Sequence, residues 1–135
     1  MTKVVLDINV FISSLFWEGV PCQIFKKVLK GEILNFTSLQ ILEELKEKLS
    51  DGFKLPFEKV KEFLEIIVFT SQIVYPKKKL NVVKKDSSDN KIIECALEAR
   101  ASFIISGDRH LLELKKYRGI KIISPRGFLS LLNKN

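Results

Sequence analysis

Four acidic residues stand where a carboxylate is costly or directional. Asp7 closes the run "KVVLD", in which Val4 to Leu6 are apolar. A lone carboxylate there needs a proton, a cation or hydrogen-bond donors around it. The segment from Phe103 to Ile105 repeats the pattern and reaches Asp108 through Ser106 and Gly107, with the glycine permitting a tight turn. Asp89 precedes Ile92, Ile93, Ala96 and Leu97 at helical spacing, which places it on the apolar face of a helix. Glu44 lies closer than Glu43 to the stripe formed by Ile41, Leu42, Leu45 and Leu49, whereas Glu47 points away. Structural explanations stand beside each. An aspartate after a strand also caps the next helix, Asp86 and Asp89 suit an acidic capping box, and Glu44 suits a solvated helix face.

If these carboxylates face one another, protons or cations must accompany them, because like charges repel strongly in a low-dielectric pocket. The donors are oxygens only. Cys22 and Cys95 are too far apart in sequence for a metal knuckle and fit small core positions, and there is a single histidine. Hard-cation chemistry with Mg²⁺ or Mn²⁺ suits that set, and zinc does not.

The elements that must position these acids follow from periodicity. Short β-rich runs at residues 3–7, 33–37, 72–75, 103–106 and 121–124 alternate with helical stretches. Helices are expected at 22–30, after Pro21; at 38–49, behind a Thr37/Gln40 capping box; and at 57–70, after Pro56. Asp86-Ser87-Ser88-Asp89 opens another that runs to Arg100, Asp108 opens one to about Leu114, and Pro125 opens the last. Alternation of this kind predicts an α/β fold, a three-layer α/β/α sandwich around a central parallel sheet of about five strands. Ligands in such sheets bind beyond the carboxyl ends of the strands, where Asp7 and Asp108 fall.

The chain has 135 residues, 46% hydrophobic and 29% charged, with no linker, repeat or low-complexity tract. One domain over 1–135 is expected. Its apolar runs fall short of the ~18 residues that span a bilayer, and Met1-Thr2-Lys3 leads into a strand, so the expectation is a soluble cytoplasmic protein with no membrane partner. The formal charge of +7 suits an anionic partner. Lys77, Lys78, Lys79, Lys84 and Lys85 precede Asp89, while Arg109, Lys115, Lys116 and Arg118 follow Asp108. Both groups could steer a phosphate backbone, with Lys84, Lys85 and Arg109 nearest the acids.

In order along the chain, Asp7-x-Asn9, Glu44-Leu45, Asp86-x-x-Asp89-Asn90 and Ser106-Gly107-Asp108 resemble the PIN-domain family, particularly its small prokaryotic toxin ribonucleases of the VapC-like kind. The closing "LLELKKYRGIKIISPRGFL" resembles the family ending, and the likeness runs from Val4 to Leu132. It implies Mg²⁺- or Mn²⁺-dependent endoribonuclease activity that leaves 5′-phosphate and 3′-hydroxyl ends. It also implies a place as the toxin of a toxin-antitoxin pair, with RNA, an antitoxin protein and a homodimer mate as partners. Carried over by position, Asp7, Glu44, Asp89 and Asp108 are the catalytic acids. Asp86 joins them as a metal ligand, with Asn9, Asn90 and Ser106 as orienting neighbours. Phe16 and Trp17 are apolar residues open to a dimer contact or to the core.

Two residues depart from the pattern: Ile8 where the family commonly has threonine, and Ser87 where it often has proline. Ile8 is the best support for an alternative, a catalytically impaired nucleic-acid-binding or regulatory module. Metal-assisted phosphotransfer is disfavoured. A receiver domain needs an aspartate ending its central strand, which "SQIVYP" lacks, and a haloacid dehalogenase-type phosphatase needs a second aspartate where Asn9 stands.

Overall fold

The computed structural model describes residues 1–83 and 87–134, so Asp86, Lys84 and Lys85 of the expected site lie outside the described residues. Strand β1 (Lys3–Leu6) leads into helix α1 (Ile8–Phe16), followed by α2 (Val20–Leu29) and β2 (Leu34–Thr37). Helix α3 (Leu39–Glu47) runs on through a π-helical turn (Lys48–Gly52) before α4 (Phe57–Thr70) and β3 (Gln72–Ile73). The second half comprises α5 (Ser87–Ala99), β4 (Phe103–Ile105), α6 (Arg109–Leu114), β5 (Lys116–Tyr117), β6 (Ile120–Ile123) and α7 (Pro125–Asn133).

The strands form one sheet in the order β3-β2-β1-β4-β6-β5, with all pairings parallel except β5 against β6. This is the expected parallel α/β sheet, with one antiparallel edge strand added. β1 and β4 are central neighbours, paired Val4 to Phe103 and Leu6 to Ile105, so both end at the same level. The pairing continues one step past the strands, where the Asp7 N–H donates to the Ile105 carbonyl and the Ser106 N–H to the Ile123 carbonyl. Near-continuous apolar strands such as Val4-Val5-Leu6 are what a sheet covered on both faces requires. Helix α5 packs across β1, β2 and β4, burying Ile92, Ile93 and Ala96.

Helix α1 is an element that the sequence reading does not contain. "INVFISSLF" is rich in β-branched and aromatic residues, whose intrinsic preference is for strands. Burial of Ile8, Val10, Phe11 and Ile12 overrides that preference, at about 2 kcal/mol for each fully buried side chain. Ile8 is thereby explained as a core residue at the first helical position. Phe16 and Trp17 prove to be surface residues, with Phe16 stacked on Phe53 at 5.0 Å and Trp17 60% exposed. Among the described residues no single helix is long and apolar enough to cross a membrane.

Candidate active site

Asp7 and Asp108 arrive at one sheet edge by the same construction, each following a strand and capping the next helix. The Asp7 carboxylate accepts the Ile8 N–H through Oδ1 at 2.7 Å. Asp108 Oδ1 accepts the N–H groups of His110 at 2.7 Å and Leu111 at 3.3 Å. Both are favourable anions at a helix start. Capping, the bland alternative raised by the sequence, is therefore real for both.

Ser106 joins the two. Its hydroxyl donates to Asp7 Oδ2 at 2.6 Å and accepts the Asp108 N–H at 2.9 Å, from a fully buried position between them. Burial pushes the Asp7 carboxyl above its ordinary value, and the Asp108 charge adds to that push. The Ser106 hydroxyl, the Ile8 N–H and the Lys48 ammonium pull it back. A buried carboxylate whose charge is opposed by a neighbouring acid is a recurrent feature of functional clefts.

Asp89 sits in the first turn of α5, 4% exposed, on the side of the helix that meets the sheet. Glu44 is half-buried on α3 and engages two lysines. Lys91 Nζ lies 3.2 Å from Oε1 and Lys48 Nζ lies 3.9 Å from Oε2. Lys91 ties α3 to α5. Neither lysine figures among the sequence-derived site residues. Lys48 was legible as an i,i+4 partner of Glu44, whereas Lys91 comes from a different helix and leaves no local trace.

Asn9 and Asn90 are not placed where they could orient the acids as expected, and Arg109 lies on the surface. Asn9 is exposed on the first turn of α1, and the side-chain donor that orients Asp7 is Ser106. Asn90 is buried but spent on the preceding loop. Its Oδ1 accepts the N–H groups of Val82 and Val83, and its Nδ2 donates to the Val83 carbonyl at 2.8 Å. It ties Val82 and Val83 to the first turn of α5. Arg109 is exposed and pairs with Glu113 one turn on, at 3.7 Å.

The donor set is oxygen-only and partly desolvated, which fits a hard divalent cation. Among the described residues, however, no three acids are drawn together closely enough to enclose one ion. Lys48 and Lys91 supply positive charge at Glu44 instead.

A PIN domain family model matches residues 3–110. An uncharacterized protein of Methanocaldococcus jannaschii is 34% identical over an alignment of 151 residues that covers 98% of this chain and 92% of the relative. Among solved structures, VapBC2 from Rickettsia felis, bound to a DNA fragment from its promoter, aligns with a TM-score of 0.66 at 14% identity, over 91% of this chain and 98% of its own. PAE2754 from Pyrobaculum aerophilum aligns with a TM-score of 0.63 at 13% identity, over 99% of this chain and 91% of its own. At these identities the two structures share the fold.

Proposed function

The chain belongs to the PIN domain family, and on that premise we propose that it is a metal-dependent endoribonuclease hydrolysing RNA phosphodiester bonds, the toxin of a toxin-antitoxin pair. The family is one of nucleases that generally use divalent metal ions. The observation that carries the reading is the Asp7–Ser106–Asp108 link: two strand-end aspartates, joined through one buried hydroxyl, at the sheet edge where α/β proteins bind ligands.

Asp7, Asp89 and Asp108 would hold Mg²⁺ or Mn²⁺, with Glu44 completing the set and Asp86 supplying a further oxygen. A bound divalent cation supplies Lewis acidity toward a phosphodiester and toward an attacking water. Ser106 would orient Asp7, and its hydroxyl favours the charged carboxylate against the burial that opposes it. Lys91 and Lys48 neutralise Glu44 and lie where they can meet an incoming phosphate.

The proposal extends to an antitoxin partner, on the likeness to VapBC2, and to a homodimer and a cytoplasmic setting. One observation favours a second reading, nucleic-acid binding without cleavage: the two lysines already engage Glu44. Incubating purified protein with single-stranded RNA in Mg²⁺, Mn²⁺ or EDTA separates the two. The nuclease yields 5′-phosphate products with metal and none in EDTA, whereas RNA binding without products would establish the second reading.

A further inference from the structure

At the opposite edge of the sheet from the acids, the end of α5 and the β5–β6 hairpin enclose a groove of about 530 Å³ that continues into one of about 270 Å³. Arg100 and Arg118 line both parts, with Lys121 on one side and Lys77 and Lys78 on the other. Two carboxylates share the second part, and each is turned to backbone: Glu98 accepts the Lys77 N–H and Glu94 the Leu80 N–H. None of the five basic side chains is ion-paired with a described residue.

The two arginines occupy positions where the backbone favours something else. Arg100, at φ 54°, follows the last residue of α5; its N–H donates to the Leu97 carbonyl, and the Ala101 N–H to that of Ala96. That is the helix-end motif in which glycine is preferred. Arg118 at φ 47° and Gly119 at φ 85° form the two-residue hairpin loop between Tyr117 and Ile120, where Asn-Gly is preferred. The Arg118 guanidinium rests over the Tyr117 ring at 5.3 Å, which restrains it. Lys54 and Lys115 are also left-handed, but neither lines the groove. Two left-handed arginines thus converge on one basic groove whose side chains have no ion-pair partner among the described residues, at a backbone cost that glycine or asparagine would avoid.

We propose that this groove is a second nucleic-acid-binding surface, taking the phosphate backbone of a single strand apart from the acidic edge. The two edges are separated by the length of the central strands, roughly 13 Å for four residues. A strand held at both engages the protein along one flank, and the groove then sets affinity for longer RNA without taking part in cleavage.

The test is the double variant Arg100→Gly, Arg118→Asn, which places the residues favoured by the backbone at both positions. Binding of a labelled single-stranded RNA of about 20 nucleotides is followed by fluorescence anisotropy in EDTA over a salt series. Affinity should fall roughly tenfold, and the slope of log K against log salt should drop by about 1.4, at about 0.7 per lost contact. The melting temperature should be unchanged or higher, and metal-dependent cleavage of a very short RNA unchanged. Arg100→Lys, Arg118→Lys should keep the binding and the slope. Unaltered RNA affinity in the Gly/Asn variant would overturn the proposal, as would displacement of the RNA by equimolar inorganic phosphate, which would mark an isolated anion site. Binding is read without metal, so a failure of the nuclease assignment leaves this result distinct.

Discussion

Replacing Ser106 by alanine tests whether the two sheet-edge aspartates act as a unit. The variant loses a 2.6 Å hydrogen bond to a buried carboxylate and removes the acceptor from the Asp108 N–H, with no new contact in return. A hydrogen bond to a charged group contributes about 1.5–3 kcal/mol and a part-buried N–H left without an acceptor about 1 more, so the expected loss is roughly 3 kcal/mol at pH 7. The loss depends on pH. Burial holds the Asp7 carboxyl above its ordinary 3.8, and Ser106 is the strongest of the groups that lower it. The folded form thus binds the Asp7 proton more tightly than the unfolded chain, and stability falls as pH rises from the unfolded value through the folded one. Ser106→Ala raises the folded value further and widens that window. The deficit is therefore greatest at neutral pH and shrinks to about 1 kcal/mol below the unfolded value, where Asp7 is protonated in both states. Urea unfolding of wild type and variant in EDTA at pH 7 and at about pH 3.5 measures it. Equal deficits at the two pH values, or a loss under about 0.5 kcal/mol at pH 7, would refute the coupling.

Other outcomes follow from the same contacts. Asp7→Asn removes a buried charge but leaves one side-chain oxygen for two donors, so it gives up the bond from either the Ile8 N–H or the Ser106 hydroxyl. The two effects oppose each other, and the melting temperature should shift by no more than several degrees at pH 7 while metal-dependent cleavage is lost. Asn90→Ala strips three hydrogen bonds from the loop before α5 and should cost roughly 2–4 kcal/mol of stability in chemical denaturation. Lys91→Met removes the closer of the two ammonium groups at Glu44. Mn²⁺ binding, read by calorimetry on the protein alone, should tighten, while metal-free stability changes by under about 1 kcal/mol because the pair is part-exposed.

Which parts of this molecule were legible in sequence depends on how local their causes are. Strand ends, proline-opened helices and the Asp108 cap come from contiguous residues, and α4 begins at Phe57 as the proline before it dictates. Helix α1 was hidden because its stability comes from burial of residues that favour strands locally. The hairpin strand β5 was hidden because two residues carry no periodicity, and its loop uses Arg-Gly in place of the usual Asn-Gly. At the site, strand-end position sufficed to bring Asp7 and Asp108 together. Spacing did not reveal that Asn90 faces a loop, that Asn9 is exposed, or that Lys91 crosses from α5 to Glu44, since each depends on what lies opposite. The same limit applied to Lys77, Lys78 and Arg118. Their proximity in sequence to the acids suggested steering toward them, and the fold carries them to the other edge.

The central claim is that the strand-end and helix-start acids form one metal-dependent cleavage site. Its most direct test is digestion of a mixed RNA pool by wild type, Asp7→Asn and Asp89→Asn protein in parallel, each with Mg²⁺, with Mn²⁺ and with EDTA, after circular dichroism has confirmed that all three are folded. Cleavage by wild type with either metal, none in EDTA and none by either variant is the predicted result. Asp89→Asn protein that cuts RNA as fast as wild type would contradict it.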